Sequence, residues 1–189
     1  EGGVDALGHA HAALELDVLR QPRVVAVGQL EELTEVAEIL KSHGANVVMV
    51  GPTAPTVFHG QRGTTITSDL AASRIKSEDL DALIIPGGFA PDKMRMRHAM
   101  VDLVRDSVIA GKTVGAICHG AQLLISAKSV SGRQITCWPS IAVDIKNAGG
   151  LYMDRPVIVD ENIITSRKSD DIPAFADAIV KALRSQQDS

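Results

Sequence analysis

The sequence predicts an α/β fold: a three-layer α/β/α sandwich on a mostly parallel sheet, with a nucleophile elbow on a central strand. Three observations point to it. Apolar runs of the kind that parallel sheets bury on both faces recur at residues 23–27, 46–50, 81–86 and 113–117. Segments with helical periodicity separate them, at the spacing that parallel crossovers need. The run Thr113-Val114-Gly115-Ala116-Ile117 then passes through Cys118 and at once into the apolar stretch Ala121-Gln122-Leu123-Leu124-Ile125, so that a strand meets a helix across a cysteine.

In chain order, residues 4–20 read as a helix, with Leu7, His11, Leu14 and Val18 at helical spacing and Gln21-Pro22 as its stop. This segment is read as an N-terminal helical extension, residues 1–22, ahead of one domain over 23–189. His9 and His11 are two apart and cannot share a helical face, which argues against a metal site there. Residues 23–27 form a first strand, 32–43 a helix closed by Gly44 at its C-terminal cap, and 46–50 a second strand ended by Gly51-Pro52. Residues 56–67, with Gly60 and Gly63 inside, have the form of a short hairpin. The strand at 81–86 ends in Gly87-Gly88. A helix over 101–110 stops at Gly111, and the strand from Thr113 leads into a helix over 119–128. The tail alternates again: strand 135–137, helix 141–148, strands 157–159 and 163–165, and a last helix over 172–183.

At 189 residues, with 45% apolar and 22% charged side chains, the chain suits one globular domain with a real core. Its net charge is −4, lysine and arginine are scattered, and aromatic residues are 3%, so no dedicated nucleic-acid surface or basic membrane face is expected. No apolar run approaches the roughly 20 residues that span a bilayer. The first residues lack a basic segment followed by an apolar one, so no signal peptide is expected. Two cysteines, Cys118 and Cys137, then fit a reducing cytoplasm better than a disulfide framework.

Ala116-Ile117-Cys118-His119-Gly120 follows the pattern small-x-nucleophile-x-small, in which small flanking residues let strand and helix approach while the central side chain is pushed outward. A thiol at the start of a helix meets backbone amides and the positive end of the helix dipole, which favour the reactive thiolate. The elbow alone leaves a second reading open, in which Cys118 is a small buried hydrophobe.

The run Ala82-Leu83-Ile84-Ile85-Pro86-Gly87-Gly88-Phe89-Ala90-Pro91-Asp92, followed by Gly111-Lys112 and Ala116 to Leu124, resembles the PfpI family of intracellular proteases and protein deglycases, within the class I glutamine amidotransferase-like superfamily. Further matches stand in Asn147-Ala148-Gly149, Val159-Asp160, Thr165-Ser166-Arg167 and Asp171-Ile172-Pro173-Ala174-Phe175, so the resemblance runs from about Arg23 to Leu183. It implies a flavodoxin-like sheet and a cysteine hydrolase acting on glycated proteins or nucleotides, or on reactive aldehydes such as methylglyoxal. An intracellular peptidase is the second reading, and a redox-sensing stress protein or holdase chaperone is a reading of another class. Neither a cofactor nor a metal is implied.

By the same resemblance, Cys118 is the nucleophile and His119 its proton-transfer partner. Glu32 donates a hydrogen bond to the sulfur, and a carboxyl there must be protonated because two anions in contact do not both persist. The competing reading makes Glu32, with Glu31 and Glu35, first-turn acid complementing the helix dipole. Asp92 orients His119 from a neighbouring subunit of a homo-oligomer, its competing reading being a helix N-cap. The backbone amides of Gly87, Gly88 and His119 form the oxyanion hole. Gln29-Leu30 stands where the family often has a longer acidic loop. Cys137 beside Trp138-Pro139 reads as packing and His43, His59 and His98 as surface residues, while Arg167 reads either as a carboxylate binder or as half of a structural ion pair.

Overall fold

A computed structural model describes residues 22–27, 31–59 and 65–187, the side chains of Glu31 and Glu32 excepted. The helix expected over 4–20, and with it the extension as far as residue 21, lies outside the described residues, as do Gln29-Leu30 and Gly60 and Gly63 of the hairpin. The first half contains β1 (Arg23–Val27), α1 (Glu31–Ser42), β2 (Asn46–Gly51), β3 (Val57–His59), β4 (Thr65–Thr67), β5 (Leu70–Ala71) and β6 (Ala82–Ile85). After these come α2 (Ala90–Met94), α3 (His98–Ile109), β7 (Thr113–Ile117), α4 (Ala121–Ser126), β8 (Gln134–Ile135) and α5 (Ala142–Asn147). The chain closes with β9 (Leu151–Tyr152), β10 (Val157–Asp160), β11 (Ile163–Ser166) and α6 (Ile172–Gln187).

Seven strands form the main sheet in the order β10-β11-β7-β6-β1-β2-β5. Every pairing in it is parallel except β10 with β11, which run antiparallel. The apolar runs take the centre because a parallel strand is covered on both faces, and all residues of β6 and β7 are buried. Along β1 the side chains alternate between two cores, Val25 and Val27 facing one and Val24 and Ala26 the other. The first core gathers Met100, Leu103 and Val104 of α3 with Leu123 and Leu124 of α4. The second gathers Leu33, Val36 and Leu40 of α1 with Phe175, Ile179 and Leu183 of α6. These are the three layers. At their centre Gly115 leaves room for α6, since a Cβ there would stand 2.9 Å from Phe175.

Several elements differ from the sequence expectation. The helix expected over 119–128 is a 3-10 turn, Cys118–Gly120, followed by the shorter α4. The strand expected over 135–137 is only Gln134–Ile135, which pairs with β9 outside the main sheet. Side chains take over its amides: Gln134 N–H donates to Asp160 at 2.7 Å and Thr136 N–H to the Thr165 hydroxyl at 3.0 Å. Finally, α3 begins at His98, three residues ahead of its expected start. The hairpin appears as β3 against β4, Phe58 opposite Ile66. No helix among the described residues is long and apolar enough to cross a membrane.

Candidate active site

Ile85, the last residue of β6, lies beside Ala116, one residue before the end of β7, so the loops that follow them leave the same edge of the sheet side by side. One loop is Gly87-Gly88 and the other is the elbow. Cys118 has φ +58°, a left-handed conformation that a side chain with a β-carbon rarely adopts. The surrounding packing must hold it there, and strain of this kind concentrates at functional sites. Gly120 shows how tight that packing is, since a Cβ on it would stand 2.5 Å from the Ile85 carbonyl oxygen and 3.0 Å from that of Pro86. The small residue at the end of the motif is therefore a steric requirement of the elbow.

The turn brings the neighbouring imidazole onto the sulfur. His119 Nδ1 lies 3.4 Å from Cys118 Sγ, a contact that consecutive residues of a regular helix would not make. The other ring nitrogen, Nε2, lies 3.5 Å from Ser140 Oγ. Trp138 closes the arrangement: its N–H donates to the Cys118 carbonyl at 3.3 Å, and its ring centroid lies 6.2 Å from that of His119. Neither Trp138 nor Ser140 was singled out for the site by sequence. Their only local signal is the turn Trp138-Pro139-Ser140, and the contacts that give it meaning reach back some twenty residues along the chain.

Residues 26–182 match the DJ-1/PfpI family. The chain belongs to the DJ-1/PfpI family. It is 40% identical over 146 residues to protein/nucleic acid deglycase 2 of Escherichia coli K12, covering 76% of this chain and 85% of that relative. Over the same length and coverage it is 41% identical to general stress protein 18 of Bacillus subtilis 168. Among solved structures it is similar to a two-domain protein from Anabaena variabilis that contains DJ-1/ThiJ/PfpI-like and ferritin-like domains. The TM-score is 0.83 at 35% identity, and the match covers 86% of this chain and 48% of that one.

Within this DJ-1/PfpI chain the other expected site residues fall as follows. Gly87 is buried and Gly88 exposed, Gly88 with φ +65°, directly beyond β6 and beside the elbow. Asp92 is exposed in the first turn of α2, where Phe89 occupies the N-cap position, so the helix-cap alternative for Asp92 does not hold. The ring nitrogens of His119 face Cys118 and Ser140 of the same chain and not its Asp92. Glu32 stands in the first turn of α1, and its side chain lies outside the described part of the structure.

Cys137 is fully buried, and its thiol is pushed up to about 12, by burial first and then by the charges of Cys118 and Asp144. Arg167 is half of a structural ion network, 3.1 Å from Asp171 and 2.9 Å from Asp154. The hydrogen bonds to those two acids raise its already high pKa. His43, His59 and His98 are exposed. Among the described residues no three His, Cys, Asp or Glu side chains cluster as metal ligands would.

Proposed function

We propose that this protein is a cysteine-dependent hydrolase acting on early glycation adducts of proteins or nucleotides, or on the reactive aldehydes, such as methylglyoxal, that form them. The observation that carries the reading is the elbow itself, a thiol held at φ +58° with an imidazole nitrogen 3.4 Å from its sulfur. That pairing of nucleophile and base is what covalent catalysis requires. Cys118 passes its proton to Nδ1 of His119 and attacks the carbonyl or hemiaminal carbon of the substrate. The oxygen that gains charge is assigned to the amides of Gly87, Gly88 and His119, a role supported by the pairing of β6 with β7 up to Ile85 and Ala116. His119 then returns the proton to the leaving group, and water releases the product from sulfur. Glu32 is assigned the hydrogen bond to the sulfur that keeps this cycle in register.

The name of the Escherichia coli relative favours glycated proteins and nucleic acids over peptide bonds as substrate. A peptidase would use the same atoms. The name of the Bacillus subtilis relative fits the sensor or holdase reading, but a sensor needs only an acidic thiol, whereas here a base faces the sulfur. Two thiols outside any disulfide suit a reducing cytoplasm, where we place the protein.

Trapping tests this reading. After brief incubation with a methylglyoxal-treated peptide and acid quench, the Cys118 peptide carries an added substrate mass and the Cys137 peptide does not. Turnover without any adduct on Cys118 sinks the proposal, and oxidation of Cys118 without turnover moves the protein to the sensor class.

The active unit is proposed to be a homo-oligomer in which Asp92 of the partner subunit reaches His119, since Asp92 is exposed on a loop helix at the sheet edge. Mixing inactive Asp92→Ala with inactive Cys118→Ser subunits then restores part of the activity. A mixture that stays inactive while subunits exchange rules this out.

A further inference from the structure

We infer that Ser140 is a positioning residue for the Cys118–His119 pair: its hydroxyl accepts the Nε2 proton of His119 and so leaves Nδ1 able to take the thiol proton. The inference rests on the reading of Cys118 as nucleophile. A neutral imidazole carries one proton on one of two nitrogens, and the bond made by one nitrogen decides the state of the other. Here the two nitrogens face different partners, Nδ1 the sulfur at 3.4 Å and Nε2 the Ser140 hydroxyl at 3.5 Å. With the proton on Nε2 and donated to Ser140, the lone pair of Nδ1 meets the thiol. The S–H bond then breaks, an N–H bond forms at Nδ1, and the charges left are a thiolate and an imidazolium. Throughout that transfer Nε2 keeps its proton and its bond to Ser140, so the ring need not turn. In the opposite tautomer Nδ1 already holds a proton and can accept none.

The hydroxyl is fixed at both ends of its turn. Trp138 before it is tied to the elbow by its N–H bond to the Cys118 carbonyl and by its ring against the imidazole. Ile141 after it is buried, and its N–H donates to the Trp138 carbonyl at 3.1 Å. Pro139 opens the 3-10 turn Pro139–Ile141 between them and stiffens it. A separation of 3.5 Å makes the bond a weak one, so its effect is a bias between tautomers. Besides the imidazole, Cys137 behind the elbow couples electrostatically to Cys118, Asp144 on α5 acts on Cys137, and Glu32 is the carboxyl assigned above to the sulfur. Asp92 on α2 is exposed, and the partner subunit's Asp92, assigned above to His119, meets the same Nε2–H, so carboxylate and hydroxyl share that one proton and act on the same tautomer.

The test is the pH profile of iodoacetamide alkylation, read peptide by peptide, for the wild type, Ser140→Ala and Ser140→Thr, and for both Ser140 states in a His119→Ala background. Losing one hydrogen bond to the imidazolium moves the Cys118 midpoint upward by about half a unit to one unit in Ser140→Ala. Threonine, which keeps the hydroxyl, restores it. In the His119→Ala background Ser140→Ala moves nothing. Ser140 is exposed, so its substitution leaves the core untouched. An unmoved profile in Ser140→Ala overturns the inference, and so does a shift of equal size without His119, since Ser140 would then act by another route. A fall in turnover at every pH with an unmoved alkylation profile also overturns it, as that is what a structural role would give. Failure of the underlying reading looks different: Cys118 alkylates with the same profile as Cys137 in the wild type, which removes both.

Discussion

The two buried cysteines of this chain, Cys118 and Cys137, sit on segments that touch, yet their surroundings are opposite in kind. Cys118 is 8% exposed, at a strained turn on the sheet edge, with an imidazole against its sulfur. Cys137 is 0% exposed and packs in the other core with Ile135, Ile141 and Ile145. Burial alone therefore does not separate a nucleophile from a packing residue. The backbone does: at Cys118 it departs from regular structure to bring an imidazole to the thiol, and at Cys137 it leaves the thiol among apolar side chains. There burial disfavours the charged form and holds the thiol neutral up to about 12.

The largest effect that could break this comparison is on turnover. Cys118→Ser is expected to lower it by ~10³ or more, because an alcohol facing the same imidazole is a far weaker nucleophile. Cys137→Ser is expected to stay within about threefold of wild type, since the proposed chemistry uses no atom of Cys137. Steady-state rates on a methylglyoxal adduct check both, with circular dichroism confirming that each variant is folded. Comparable losses in the two would show that the thiols share one function.

The next effect is on stability and belongs to Cys137. Its thiol is raised in the folded chain above an ordinary value of 9.0. Between that value and about 12 the folded state keeps a proton that the unfolded state has lost, so stability is full below the window and falls as pH rises through it. The loss is about 1.4 kcal/mol per pH unit and reaches roughly 4 kcal/mol at the top of the window. Cys137→Ala is expected to be less stable at pH 7 by about 1 kcal/mol, through lost packing, and to show a flatter decline between pH 9 and 11. Urea unfolding of the two proteins across that range gives the difference directly, free of the lysines and tyrosine that titrate in both. Parallel curves would mean that Cys137 is not the buried acid.

How far sequence reaches follows the same division. Cys118, His119 and Gly120 were legible because the elbow is local: strand, nucleophile, small residue and helix follow one another, and the positive φ at Cys118 with the tight fit at Gly120 is what that pattern demands. The central strands were legible because double burial leaves an unbroken apolar run. The segment around Cys137 was not. Its expected strand stops at Ile135, where the Thr136 amide turns to the hydroxyl of Thr165, distant in sequence. Ser140 and Trp138 gain their meaning from contacts with the elbow, and neither leaves a periodic trace. Even the helix after the elbow came out short of its expected length, since Cys118 ahead of it and Lys128 at its end are both left-handed and cannot join a regular helix.

The smallest effect sharpens the elbow side alone. If the conformation of Cys118 is held by the fit of Gly120 against the end of β6, one added methyl should disturb it. In Gly120→Ala the new Cβ meets two backbone carbonyls, at 2.5 Å and 3.0 Å, and neither can swing aside as a side chain could. The strand end or the turn must move instead, at a cost of about 1–3 kcal/mol in unfolding free energy, the scale of other strained positions. Because β6 also delivers Gly87-Gly88 to the site, the same displacement separates the sulfur from the amides assigned to the oxyanion. Turnover should therefore fall by more than the loss of stability explains, while the alkylation profile of Cys137, on its own segment, stays where it was. Chemical denaturation, steady-state rates and peptide-level alkylation on the one variant separate these readouts. Full activity in a stable Gly120→Ala would show that the elbow has slack, and the positive φ at Cys118 would then need a cause other than the close approach of β6.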